Sequence, residues 1–161
     1  MKQAFLIIAH EHMLIVKQLV KLLDSEEVDI YILIDSKSEK PFLRTKKSNL
    51  YFCPSIDIRW GDVSQIYAEL LLFENAYENG PYMYYHLLSG VDLPIKNIEK
   101  ICDFFKKNYG KEFVGFTAND NWIERIAKYH LFTRYYKVTG RKGVIINFFS
   151  TVCRENSKCF V

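Results

Sequence analysis

The first 35 residues constrain the fold more than any other stretch. Ala4-Phe-Leu-Ile-Ile-Ala9 is an unbroken apolar run, too short for a typical helix and apolar on both alternating faces. Such a run reads as a strand buried on both sides, the type found in parallel sheets. Met13, Val16, Leu19, Val20 and Leu23 then recur at helical spacing, which predicts an amphipathic helix over 13–23. Asp24-Ser-Glu-Glu27 is a polar connection, and Asp29–Ile34 is a second apolar strand. Strand, helix and strand at this spacing make a βαβ unit, whose strands run parallel through a right-handed crossover. The fold class that follows is α/β, with a mostly parallel sheet covered by helices.

In open α/β sheets ligands sit outside the carboxyl ends of the strands. The residues that follow each strand are therefore the first candidates for chemistry. His10-Glu11-His12 follows the first strand. Side chains at i and i+2 share one face of a strand, but these two lie past its end, and two imidazoles alone do not make a metal centre. No metal site is expected there; a substrate contact or simple exposure is. The second strand ends in Asp35-Ser36-Lys37-Ser38. A carboxylate at that place commonly holds the ribose or base of a nucleotide. Its structural alternative is an Asx turn, in which Asp35 bonds its own backbone.

Glu39–Asn49 is charged, carries Pro41 and reads as a loop. Leu50–Cys53 is a short strand ended by Pro54, and Ile56 and Ile58 alternate with Asp57 and Arg59 in extended chain leading to Trp60. Gly61 permits a turn, Asp62 and Gln65 have capping-box spacing, and Ile66, Leu70, Phe73 and Tyr77 define one face of a helix over about 63–79. Trp60, Gly61 and Ser64 stand at the entrance of that helix, where first-turn amides can face an anion. The structural alternative is that Trp60 anchors the turn and Gly61 only supplies its backbone.

The next element carries the densest pattern of the chain: Tyr82-Met-Tyr-Tyr-His86-Leu-Leu-Ser-Gly-Val-Asp-Leu-Pro-Ile-Lys96. Up to Leu88 it reads as a buried strand. Ser89-Gly90 ends it, Asp92 places a carboxylate just beyond, and Pro94 forces extended backbone on Leu93. Asn97 is an N-cap for a helix whose apolar face is Ile98, Ile101, Phe104 and Phe105. A strand ending in Ser-Gly-x-Asp is a candidate site wall; the alternative is a tight turn in which Asp92 bonds only amides. Further on, Phe113–Phe116 reads as a strand, Trp122–Arg134 as a helix and Thr139–Gly143 as a basic glycine turn, while Val144–Val152 fits either strand or helix.

Several function classes are excluded by what these motifs are not. The chain has no Walker-type phosphate loop, no dinucleotide-binding glycine fingerprint, no nucleophile elbow and no C-x-x-C pair. Basic–aromatic repeats of the RNA-module kind are missing, so no nucleic-acid partner is expected. The four cysteines fit reduced thiols in a cytosol. No apolar run reaches the 18 residues of a spanning helix, and the N-terminal run is too short for a signal peptide. The net charge of +3 is uneven: residues 121–161 hold eight Lys and Arg against two Glu, so the tail is basic and the preceding chain acidic. A basic tail attracts phosphate-bearing ligands or an anionic membrane surface; its alternative is a solvated face.

Three segments in order, Ile32-Leu-Ile-Asp-Ser-Lys-Ser38, Trp60-Gly-Asp-Val-Ser64 and Leu88-Ser-Gly-Val-Asp-Leu-Pro-Ile95, resemble the core-2/I-branching glycosyltransferases. That family comprises β-1,6-N-acetylglucosaminyltransferases, peptide O-xylosyltransferases and short bacterial relatives. The resemblance runs from about residue 4 to 116. It implies a three-layer nucleotide-sugar-binding fold of the GT-A-like kind, with residues 1–116 as donor-binding region and 117–161 as a basic continuation of the same domain.

The resemblance implies an inverting, metal-independent transfer of a hexosyl or N-acetylglucosaminyl unit from a UDP-sugar to a glycan acceptor. Surface polysaccharide synthesis and a cytoplasmic location at the inner membrane face are the expected setting. No cofactor or metal is implied, and the sequence has no D-x-D motif of the kind that holds a divalent ion. Asp35, Lys37, Trp60, Gly61, Ser64, Ser89 and Gly90 fall on the donor side of the resemblance, and Asp92 and Lys96 on the acceptor side. Asp92 is the one motif carboxylate at the presumed acceptor site, hence the candidate catalytic residue, with an acceptor-contacting or site-shaping role as the alternative. Family catalytic domains run to about twice this length, and their main base and diphosphate-binding Arg/Lys pair have no counterpart among the aligned segments. The chain is thus expected to be the donor-binding part, with peripheral membrane contact and self-association through an uncovered apolar face. The alternative function is a non-catalytic nucleotide-sugar-binding or interaction module.

Overall fold

The computed structural model describes residues 1–113 and 115. The strands are β1 (Gln3–Ala9), β2 (Val28–Ile34), β3 (Asn49–Phe52) and β4 (Tyr85–Ser89); the helices are α1 (Met13–Leu23), α2 (Ser64–Glu78) and α3 (Ile98–Lys107). All strand pairs are parallel, in the order β3-β2-β1-β4. The βαβ unit read from the sequence is β1-α1-β2, with bounds within one residue of those expected. Phe113 lies outside any element; the rest of the expected 113–116 strand, apart from Gly115, and the expected elements beyond it lie outside the described residues.

Two apolar layers sandwich the sheet. On one side Phe5, Ile7, Ile30 and Ile32 meet Val16, Leu19, Val20 and Leu23 of α1, with Ile98 and Cys102 of α3. On the other side Ala4, Leu6, Tyr31 and Leu33 meet Ala68, Leu72 and Ala76 of α2. This is three-layer α/β/α packing, and it explains why β1 and β2 are apolar on both faces. Asn97 caps α3 as expected, accepting the Lys100 amide at 3.2 Å.

Three expectations are corrected. The apolar stripe of α2 read from the sequence, Ile66, Leu70, Phe73 and Tyr77, is exposed, and a second, smaller-residue stripe faces the sheet. Small Ala68 and Ala76 let the helix backbone approach the sheet closely, which larger side chains would prevent. The helix also starts at Ser64 with Val63 at the N-cap and no side-chain cap bond, so the Asp62–Gln65 capping box is not what starts it. The strand at His86 is half-buried rather than buried, because β4 is an edge of the described sheet.

His86 belongs to the packing under α3. Its Nε2 lies 2.8 Å from Gln3 Oε1, and Gln3 in turn donates to the Cys102 carbonyl at 3.3 Å. The ring centroid lies 4.5 Å from that of Phe5 and 4.4 Å from that of Phe105. Burial pushes the imidazole down from 6.5 to about 4. The unfolded chain therefore takes up a proton between these values that the folded chain refuses. Stability is complete above pH 6.5 and falls as the pH drops towards about 4, by a total on the order of 3 kcal/mol. Urea melts at about pH 7.5 and about pH 4.5 should show this loss, and His86→Phe should shrink the difference between the two. An equal loss in the variant would assign it to other groups.

At the amino ends of the strands a polar network holds the layers in register. Asp29 accepts from Lys2 Nζ at 2.7 Å and Tyr82 Oη at 2.9 Å, and Tyr82 and Tyr31 hydroxyls lie 2.8 Å apart. Burial pushes the Tyr31 phenol up to about 12 and Tyr82 further in the same direction. These groups are structural, since they lie at the end of the sheet opposite to its carboxyl edge.

Candidate functional site

The carboxyl edge is built around the end of β1. On one side Asp35 donates its amide to the Ala9 carbonyl at 2.9 Å. On the other, Gly90 donates its amide to the Ile8 carbonyl at 2.7 Å. The segments after β2 and after β4 thus flank His10. The order β3-β2-β1-β4 also makes β1/β4 the place where the sheet changes direction of growth, since β2 and β3 extend it to one side and β4 to the other. Such a switch point opens a crevice at the carboxyl edge.

Asp35 is 4% exposed and works on its own turn. Its Oδ1 accepts the Lys37 amide at 3.1 Å, and its Oδ2 pairs with Lys37 Nζ at 2.9 Å. Lys37 Nζ also donates to the Ile58 carbonyl at 2.7 Å and to Asp57 Oδ1. Desolvation would lower the Lys37 ammonium, but the Asp57 and Asp35 carboxylates outweigh it and hold it above its ordinary value. The Asx turn and the ion pair are therefore both present. A carboxylate has about four lone-pair positions, and these two bonds occupy half of them. Ser38 Oγ, donating to the His10 carbonyl, ties the loop to the end of β1.

Asp57 and Ser64 line a groove of about 490 Å³ together with Tyr67, Leu70 and Glu74. Neither Asp57 nor Tyr67 is among the site residues expected from the sequence. The available signal was a carboxylate inside Ile56-Asp57-Ile58, where alternation points it away from the neighbouring isoleucines. Next to this groove Ser55 Oγ is buried with no hydrogen-bond partner among the described residues. An unmade buried bond of that kind costs about 1–3 kcal/mol unless water or a ligand fills it.

The Ser89–Asp92 turn closes on itself. Asp92 Oδ2 accepts the Ser89 amide at 2.8 Å, and the Asp92 amide donates to the Ser89 carbonyl at 3.0 Å. Ser89 Oγ accepts the Val91 amide at 3.5 Å. Asp92 is exposed, so its carboxylate meets solvent beside the crevice. Gly90 is buried against Ala9 and Val16, so close approach explains it rather than a left-handed backbone. Lys96 is exposed just before the α3 cap. Trp60 and Gly61 belong to a separate compact unit that contains Arg59–Asp62. There Gly61 has φ 73, the turn conformation expected of it, and Trp60 is exposed.

His12 is the one non-glycine residue with positive φ among the described residues, at 54°, and sits at the N-cap of α1. Glu11 Oε1 lies 3.2 Å from His10 Nε2 and 3.8 Å from His12 Nε2. Among the described residues no three His, Cys, Asp or Glu converge on a metal position.

The three-layer α/β/α arrangement with a charged carboxyl edge at its switch point is consistent with a nucleotide-sugar-binding fold of the glycosyltransferase kind. The family model for the Core-2/I-Branching enzyme matches residues 3–144, and the chain belongs to that family of glycosyltransferases. No curated protein matches the sequence.

Proposed function

We propose that this chain binds the nucleoside end of a UDP-sugar along the Asp35–Lys37–Asp57 edge. It then takes part in inverting, metal-independent transfer of a hexosyl or N-acetylglucosaminyl unit to a glycan acceptor. The observation that carries this reading is the convergence of Asp35 and Asp57 on Lys37 at the carboxyl edge. Carboxylate oxygens at that edge can accept from ribose hydroxyls and from a base. Ser64 and the exposed ring of Tyr67 line the adjoining groove, and a tyrosine face offers stacking to a base. The diphosphate must then be neutralised by basic side chains elsewhere, in keeping with the missing D-x-D motif. Within the unit that holds this edge, donor contacts are proposed for Asp35, Lys37, Ser64, Ser89 and Gly90, and acceptor contacts for Asp92 and Lys96. The setting that fits is polysaccharide assembly at the cytoplasmic face of a membrane; no described helix is long and apolar enough to cross one.

The second reading is binding without turnover, in which Asp92, tied to the Ser89 amide through Oδ2, only shapes the site. Calorimetric titration with UDP and UDP-N-acetylglucosamine separates the cases. Binding that persists in EDTA and is not strengthened by manganese is expected, with release of UDP from the sugar donor on prolonged incubation. Binding without release would favour the second reading. Asp35→Asn preserves volume and an acceptor for the Lys37 amide but removes a charge, and should weaken UDP binding about tenfold or more. Unchanged affinity would remove the donor-site assignment.

A further inference from the structure

The geometry points to a second surface, formed by the outer face of α1 and the loop 40–47, that docks on an anionic lipid bilayer. This surface lies in the first part of the chain, whereas the basic tail falls outside the described residues. The helix Met13–Leu23 carries Lys17 and Lys21 and no acid, and the loop carries Lys40, Arg44, Lys46 and Lys47 and no acid. All six cations are exposed. The nearby acids are few: Asp24 is engaged by the amides of Lys46, Lys47 and Ser48, Glu27 pairs with Lys106, and Glu11 faces His10 and His12, which leaves Glu26 and Glu39.

Apolar side chains stand out from this basic field. Leu14 is 84% exposed and Phe42 71% exposed, and an apolar groove of about 620 Å³ lies between them, bordered by Lys17 and Pro41. The loop is held in place: Leu43 is buried under α1, Thr45 Oγ1 donates to the Ser48 carbonyl at 2.7 Å, and Arg44 lies 4.6 Å from the centre of the Phe42 ring. Leu43 inward with Phe42 and Arg44 outward is a pre-ordered wedge. Stable peripheral binding takes two signals, an inserted apolar group and basic residues that meet anionic headgroups. Both are present on one surface. An acidic protein partner would need the charge but not the protruding leucine and phenylalanine pair.

The surface begins at the N-terminus of α1, directly after the carboxyl end of β1. Docking there would bring the candidate site edge close to the headgroup layer, where an acceptor carried on a lipid would lie.

The test is co-sedimentation of the full chain with vesicles of phosphatidylcholine alone and of phosphatidylcholine mixed with phosphatidylglycerol, without UDP. The chain should sediment with the mixed vesicles, remain in solution with the neutral ones, and be released by raised salt. Lys40→Glu with Arg44→Glu, and separately Leu14→Ser with Phe42→Ser, should each reduce the partition coefficient about tenfold or more. All four positions are exposed, so circular dichroism should be unchanged. Equal sedimentation of both double variants with the parent would overturn the proposal, as would failure of the parent to sediment with the mixed vesicles, or loss in the charge variant alone, which would show a purely electrostatic contact with no inserted wedge. The readout needs no donor binding, so failure here and failure of the glycosyltransferase reading are distinguishable.

Discussion

Gly90→Val is expected to cost about 3 kcal/mol or more and to lower the melting temperature by about 10 °C. A Cβ at this position would lie 2.9 Å from Ala9 Cβ, 3.1 Å from Ala9 Cα and 3.1 Å from Val16 Cγ2. Two of these atoms belong to Ala9, which is hydrogen-bonded into the sheet between β2 and β4 and cannot retreat. The third is on α1, so relief would require lifting the helix from the sheet. Gly90→Ala, which adds the Cβ alone, should cost about 1–3 kcal/mol. The gradation from alanine to valine is the signature of overpacking, and thermal melts by circular dichroism measure it. A valine variant melting within about 2 °C of the parent would contradict the close approach. Because the same glycine amide bonds the Ile8 carbonyl, the variants should also displace Asp92, and with it any acceptor-side contact.

The second large effect separates two leucines that look alike in the sequence. Leu72→Ala should cost about 2–5 kcal/mol, whereas Leu70→Ala should stay within about 0.5 kcal/mol. Leu72 is fully buried between α2 and the sheet, beside Leu6 and Leu33, and its removal leaves a cavity that Ala68 and Ala76 are too small to fill. Leu70 is 57% exposed on the far side of the same helix. Chemical denaturation of both variants checks the pair. Equal losses would mean that the outward stripe is covered in solution.

That contrast shows where sequence reasoning stopped. Ile66, Leu70, Phe73 and Tyr77 are the larger side chains of α2 and gave the stronger periodic signal, yet alanines mark the buried side because tight helix-on-sheet packing favours small residues there. The β1-α1-β2 unit was legible because its strands are apolar on both faces and its helix on one, a pattern that only burial between layers explains. At the site, Asp35 and the Ser89–Asp92 turn could be located as strand-end features. The partner of Lys37 could not, since Asp57 is 20 residues further on and reaches it through the path of the chain after β3.

The sequence by itself determined the α/β class, the parallel β1-α1-β2 unit, the carboxyl edge as the place for chemistry and, through three ordered motifs, the family. Those features are local or periodic, so nearest neighbours along the chain suffice to specify them. Tertiary structure alone decided the strand order, the face that α2 buries, the steric reason for Gly90, and the convergence of Asp35, Lys37 and Asp57. The basic surface around Leu14 and Phe42 belongs with these. Each depends on residues far apart in the chain being brought within a few ångströms, and no period or spacing along the sequence encodes such proximity.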